Sequence, residues 1–336
     1  MTDTQFDVAG IGNAIVDILA QAEEDFLRRE GIRKGVMTLV DADRAKKLYE
    51  KMGPATTVSG GSAANTIAGL ANLGGKCAFI GKVHDDQMGA VFQHDMKALK
   101  VHFRAPPSTQ GAPTACCIIL VTPDGQRSMN TYLGASTDLS EEDIDENVIA
   151  ASKVTYLEGY LFDKEPAMKA FHAAAYIAHK NGRKVALTLS DPFCVDRHRD
   201  DFKALLNKGV DILFANESEI LALYQVNKFD DVVVQLGKDC PLAIVTRSEL
   251  GSIIIEGPDT TKIPVEKVET VVDSTGAGDL YAAGFLYGYT QSMPLPHCGR
   301  MAAICAAEVI THMGPRPQTS LKRLVQKKAG LLVDQK

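Results

Sequence analysis

The sequence lacks most of the short signatures that reveal a chemistry at sight. It has no Gly-x-x-x-x-Gly-Lys-Ser/Thr loop, which excludes a P-loop nucleotide enzyme. It has no Cys-x-x-Cys and no His-Glu-x-x-His, and its eight histidines are scattered, so zinc is not expected. Gly10-Ile11-Gly12 starts like a dinucleotide fingerprint, but Ile15 stands where the third glycine should be and the chain goes on as strand, which argues against a Rossmann dehydrogenase. The seven cysteines (Cys77, Cys116, Cys117, Cys194, Cys240, Cys298 and Cys305) are odd in number and sit mostly in apolar runs, which predicts buried free thiols in a reducing compartment. No apolar run approaches the roughly 20 residues that span a bilayer. Met1 to Gly10 is acidic and lacks the basic start and apolar core of a signal peptide, so a cytoplasmic protein is expected. The net charge of −6 gives no overall attraction for nucleic acid or an acidic membrane face, although a locally basic cleft remains open. There is no internal repeat, low-complexity tract or long linker.

What is present is an alternation of strands and helices. The 336 residues are 45% hydrophobic and 23% charged, ordinary for a globular chain with one large α/β domain and a smaller appendage. Phe6 to Gly12 and Ile15 to Ala20 read as strands. Asp43 to Met52 and Ser62 to Leu73 read as helices, the second stopped by Gly74. Thr114 to Val121 and Ser128 to Tyr132 flank the turn signal Thr122-Pro123-Asp124-Gly125 and predict a hairpin. From Val154 onward strands and helices alternate, which predicts a mostly parallel central sheet with helices on both faces and ligands at the carboxyl ends of its strands. Two stretches break the pattern, 13–41 and 104–137. They are expected to join as a small β-rich lid over the cleft, with 1–12, 42–103 and 138–336 forming the large domain.

The sharpest signal is Val272-Asp273-Ser274-Thr275-Gly276-Ala277-Gly278-Asp279 ahead of an apolar helix. Gly276, Ala277 and Gly278 let backbone approach a ligand, and the helix start offers unpaired N–H groups to an anion. Asp279 at that start is suited to accept a proton from an attacking hydroxyl. A plain turn with a helix-start acid is the competing reading of the glycines and Asp279 alone; the whole octet favours the chemical one. Gly60-Gly61 before a helix allows close approach of a ligand, and Asn65 lies one turn in; taken in isolation, a simple turn into an alanine-rich core helix is the favoured reading. Asn216 and Glu219 fit a water-mediated Mg²⁺ site, and fit a capping box at least as well. Asn13 and Asp17, four apart on an extended segment, could share a face and grip adjacent hydroxyls, or lie on a solvated edge. Arg127 beside the hairpin turn is either a surface charge or a counter-charge carried on the lid.

Taken together, these motifs resemble the ribokinase-like (PfkB) carbohydrate and nucleoside kinases. Val272–Asp279 with Ala282-Ala283-Gly284-Phe285 is similar to that family's C-terminal signature, Gly60-Gly61 with Asn65 to its N-terminal one, and Asn216 with Glu219 to its Asn-x-x-Glu motif. The resemblance implies the ribokinase-like α/β fold and ATP- and Mg²⁺-dependent transfer, with Asp279 as base and Gly276–Gly278 as anion hole. It implies that Asn216 and Glu219 serve Mg²⁺ and phosphate, that Thr246, Gly251, Thr275, Gly276 and Gly278 lie near ATP, and, as in some members, that K⁺ sits near Asp273 and Thr275. Ser248 stands where the commoner Thr-x-Gly-x-x-Gly has its middle glycine. Three stretches, Gly12–Ile18, Leu187–Phe193 and Val210–Glu217, look most like the adenosine kinases, with Thr188 and Ser274 as departures. By that likeness Asn13 and Asp17 hold a ribose, and Leu133, Tyr160 and Phe193 pack on a purine. A sugar kinase and a silent nucleotide sensor remain the rival readings, the partner is a small molecule, and monomer and homodimer are both open.

Overall fold

The computed structural model describes residues 4–330. The outermost ends of the expected large domain, 1–3 and 331–336, lie outside the described residues. Along the chain run β1 (Phe6–Ile11), β2 (Ile15–Gln21), β3 (Met37–Leu39), β4 (Ala55–Gly60), β5 (Cys77–Ile80), β6 (Ala115–Val121), β7 (Arg127–Tyr132), β8 (Ser152–Glu158), β9 (Lys184–Thr188), β10 (Ile212–Asn216), β11 (Leu242–Thr246), β12 (Ser252–Glu256) and β13 (Asp259–Ile263). They form an eight-stranded sheet in the order β13-β12-β11-β10-β9-β8-β1-β5 and a five-stranded sheet in the order β3-β7-β6-β2-β4.

The large sheet is parallel from β5 to β11, and β12 and β13 close one edge antiparallel. Its strands are apolar on both faces, as a sheet covered on both sides requires. Val8, Tyr156, Phe214 and Ile244 bury one face under the helices Ser62–Leu73, Ala277–Thr290 and Leu295–Val309. Their neighbours Ala9, Leu157, Leu213 and Val245 bury the other under Glu165–Lys180 and Pro192–Gly209. One-residue alternation thus splits each strand between two cores.

The small sheet repeats this rule at lower mass. Ile18, Ile118 and Leu120 pack outward on Leu27, Ala45 and Leu48, while Ile15, Cys117 and Ile119 face the other way with Leu133 and Met313 against them. The expected β6–β7 hairpin is there, with Cys117 opposite Thr131. One boundary differs from expectation. The helix Ala42–Lys51 packs on the small sheet and β4 pairs antiparallel with β2, so 42–60 belongs with the small sheet rather than the large domain. The polar run Ala55-Thr-Thr-Val-Ser-Gly carries little strand signal because it forms an exposed edge. The helix Pro192–Gly209 is capped by Asp191 and bends at His198. The seven cysteines are free thiols, all but Cys116 buried. No helix among the described residues is long and apolar enough to cross a membrane.

Candidate active site

The carboxyl ends of the parallel strands gather the polar groups. Ile11, Glu158, Asn216 and Thr246 are the last residues of β1, β8, β10 and β11, and the small sheet's β2 and β4 run up to the same edge. Helix Ala277–Thr290 begins there, behind Gly276 at φ +80°. A side chain at Gly276 would strike Pro315 at 2.8 Å, whereas one at Gly278 would meet nothing within 4 Å. The loop is therefore wedged from behind and open in front, where the helix N–H groups point.

Asp279 is the third residue of that helix. Ser62 Oγ donates to its Oδ1 at 2.6 Å and Asn65 Nδ2 to its Oδ2 at 3.0 Å. Both donors come from the first turn of Ser62–Leu73, so the glycine pair and the C-terminal signature meet on one carboxylate. Burial lifts Asp279 from 3.8 to about 6, against the pull of Ser62, Asn65 and the Arg316 charge.

Asp17 lies beside it, on β2. Its carboxylate rests on bare backbone: a Cβ on Gly60 would stand 2.3 Å from Asp17 Oδ2, and one on Gly61, at φ +95°, 2.2 Å from the Asn13 carbonyl. Burial raises Asp17 from 3.8 to about 7, with Arg316 and Arg127 opposing. Asn13 does not share a strand face with Asp17, as their spacing suggested. It sits in the link between β1 and β2, where its Nδ2 donates to Glu158 Oε1 at 2.6 Å. The two residues still converge, because Gly60-Gly61 packs against both.

The remaining expected residues divide. Thr246 lies in register with Asn216 across β10 and β11, and Gly251 at φ +82° follows the next turn. Asn216 and Glu219 form a capping box: the Glu219 oxygens accept from Asn216 Nδ2 at 2.6 Å and Asn216 N at 2.9 Å. Both oxygens are thus engaged as in a cap, so any contact with the Mg²⁺ of a bound nucleotide would run through water. Asp273 fits K⁺ poorly. Its oxygens accept from Thr275 N at 3.0 Å and Gly314 N at 2.9 Å and form an ion pair with Arg127, so cationic charge already stands there. Among the described residues no group of three or more His, Cys, Asp or Glu could hold a metal. Leu133 packs on the inner face of the small sheet with Ile15 and Ile119. Tyr160 donates from its backbone to Ser190 Oγ at 3.1 Å, while Phe193, opening the next helix, stands 75% exposed.

Three participants carry no sequence signal of their own. Glu158, buried, accepts from Ala63 N at 2.7 Å as well as from Asn13, and burial lifts it to about 7. An acid ending a buried parallel strand is the clue that could have found it. Ser62 hides inside the glycine motif. Arg316 follows the helix Leu295–Val309, in a Gly-Pro-Arg-Pro run that resembles any loop.

The pfkB family carbohydrate kinase model matches residues 37–321. The chain belongs to that family. A probable sugar kinase protein from Rhizobium etli CFN 42 is similar to it, at 50% identity and a TM-score of 0.91, over 98% of this chain and 100% of that one. The adenosine kinase from Sinorhizobium meliloti is similar too, at 51% identity and TM-score 0.90, over 96% and 99%. The adenosine kinase of Saccharomyces cerevisiae is 25% identical over 91% of this chain and 95% of its own length. The ribokinase-like α/β fold and phosphotransferase class expected from the motifs are those of a pfkB kinase.

Proposed function

We propose that this pfkB kinase transfers the γ-phosphoryl group of Mg-ATP to the 5′-hydroxyl of a purine nucleoside, converting adenosine to AMP. The observation that carries the reading is the convergence of two buried carboxylates, Asp279 and Asp17, on the open front of the Gly276–Gly278 loop. Asp17 grips the 2′- and 3′-hydroxyls, with Asn13, Gly60, Gly61 and Asn65 shaping the ribose site. The 5′-oxygen attacks phosphorus, and Asp279 takes its proton. The new O–P bond forms as the bond from Pγ to the β,γ-bridging oxygen breaks, and the electron pair leaves on ADP. The loop amides and Arg127 offset the developing charge. The small sheet serves as a lid that excludes water as a competing acceptor. Thr246, Gly251, Thr275 and Asn216 line the nucleotide side. Cytoplasmic purine salvage is the setting that suits this reaction, whether the protein works as a monomer or a homodimer.

The 51% likeness to an adenosine kinase supports the nucleoside. A specific observation keeps a sugar acceptor as second reading: Phe193, one wall of the purine clamp, stands mostly exposed, and a probable sugar kinase is equally similar. ADP release from Mg-ATP with adenosine, guanosine, inosine, ribose and fructose 6-phosphate as separate acceptors tests the proposal. Turnover on adenosine with AMP as product is expected. Turnover confined to a free sugar would overturn the substrate and leave the transfer chemistry standing.

A further inference from the structure

Two arginines face the Gly276–Gly278 loop with donors left over. Arg127 comes from β7 in the small sheet. Its side chain is only 8% exposed and pairs with Asp273, yet its Nε and Nη2 are shielded from water and unpartnered. Arg316 comes from the loop after Leu295–Val309, next to the Pro315 that wedges Gly276. Its Nη2 donates to Ser59 Oγ at 3.2 Å, while Nε and Nη1 are likewise shielded and unpartnered. Shielded guanidinium donors without partners are costly unless a ligand supplies acceptors. Four such N–H-bearing atoms thus sit on two residues that bear on this loop: Arg127 pairs with Asp273, three residues before Gly276, and Arg316 follows the Pro315 that packs on Gly276, with its charge felt at Asp279.

Arg316 is held there deliberately. Glu308 Oε1 accepts from Gln318 N and Thr319 N, both at 3.0 Å, closing the far side of the loop. Gly314 N ties the near side to Asp273, the same carboxylate that holds Arg127. The charges that face Arg316 are Asp17, Asp95 and Asp279, so it stands between the proposed hydroxyl grip and the proposed base. A guanidinium with two free edges in that position suits a tetrahedral or planar phosphoryl group whose oxygens gain charge during transfer.

We propose that Arg316 is a catalytic residue, forming with Arg127 a two-sided guanidinium clamp on the transferring γ-phosphoryl group. Arg127 arrives with the small sheet, whereas Arg316 is fixed to the large domain. The clamp therefore spans the two sheets, with Arg127 already paired to Asp273 and Arg316 already tied to Ser59. This rests on the phosphotransfer reading, but not on adenosine as the acceptor.

The test has a chemical and a binding arm, with Arg316→Met and Arg316→Lys. In the chemical arm, kcat with adenosine should fall about 10²-fold in Arg316→Met, the scale of one lost charge-stabilising donor, with KM for adenosine little changed and partial recovery in Arg316→Lys. In the binding arm, done without acceptor, calorimetry compares Mg-ADP with a non-hydrolysable Mg-ATP analogue. Wild type should prefer the triphosphate, Arg316→Met should lose that preference, and Mg-ADP affinity should hold. A kcat within threefold of wild type, or a slow variant that keeps its full preference for the triphosphate, overturns the clamp and leaves Arg316 as a tie to Ser59. If Arg316→Met does not fold, Arg316→Lys decides both arms. If wild type ignores adenosine altogether, the acceptor reading fails while the binding arm still decides the clamp.

Discussion

A carboxylate has to be ionised to take a proton, and a buried one is reluctant to be. Asp279 meets this conflict with two hydrogen bonds, from Ser62 and Asn65, that hold it near 6 despite burial. Asp279→Asn keeps the shape of the side chain, but its amide oxygen is far too weakly basic to take the proton. Its kcat should fall at least about 10²-fold while Mg-ADP binding survives; near-normal turnover would remove Asp279 from the role of base. Asp17 poses the opposite test. Burial lifts it from 3.8 to about 7, so the folded protein holds this proton more tightly than the unfolded chain. Its contribution to stability is therefore full at low pH and declines as pH rises through that interval, by about 4 kcal/mol in total. Asp17→Asn should gain stability relative to wild type between pH 4 and 7 and hold that gain above, while binding acceptor more weakly. Denaturant titrations at pH 5 and pH 8 that show the same difference at both would refute the assignment. At this scale the sequence exposed Asp279, the glycines and Asp17. It did not expose Glu158 or Arg316, since each acts only through partners far off in the chain, Asn13 and Ala63 for one and Ser59 for the other.

Elements were legible where a local rule fixes both ends. Ser62–Leu73 is bounded by Gly61 and by Gly74 at φ +101°, and its predicted limits match. Edge strands were not, because β3 and β4 are short or polar and owe their form to pairing with β7 and β2. The capping box at Asn216 shows a motif whose local geometry is complete without a ligand, which is why the sequence could not separate cap from phosphate site. The start of Ala277–Thr290 allows fold and function to be parted experimentally. Gly278 occupies the second position of the helix, and a methyl group there meets no protein atom within 4 Å. Gly278→Ala should leave stability unchanged or raise it by up to about 1 kcal/mol, since alanine costs less backbone entropy in a helix. The same methyl group would stand where the phosphoryl group has to approach, so kcat/KM for ATP should drop, by as much as about 10²-fold for a displacement near 1 Å. A variant that is both stable and fully active would show that phosphate does not sit over this loop.

At the scale of the molecule, the small sheet packs mostly in clusters of its own, Val16 of β2 joins the large sheet's core, and polar contacts tie the two sheets together at the site. Arg127 of β7 reaches Asp273, Arg316 reaches Ser59 of β4, and Ser59 N donates to Asp95 at 2.9 Å. The Arg127–Asp273 pair is the most buried of these, at 8% and 3% side-chain exposure. Burial works against the Asp273 charge, but the Thr275 and Gly314 amides and Arg127 together hold its carboxyl below the ordinary range. Removing one partner of such a pair leaves the other uncompensated and costs about 3–5 kcal/mol. Because β7 is bounded by the short edge strand β3, this loss should be felt in the small sheet before the large one. Arg127→Met should therefore speed amide hydrogen exchange in β6 and β7 while β8, β9 and β10, at the centre of the large sheet, keep wild-type protection. Saturating Mg-ATP and acceptor should slow exchange in β2, β6 and β7 of wild type, as closure of a lid requires, and do so less in the variant. Uniform acceleration in both sheets would mean that the molecule opens as one unit. The ion pair would then be a strut of the whole fold rather than the latch between its parts.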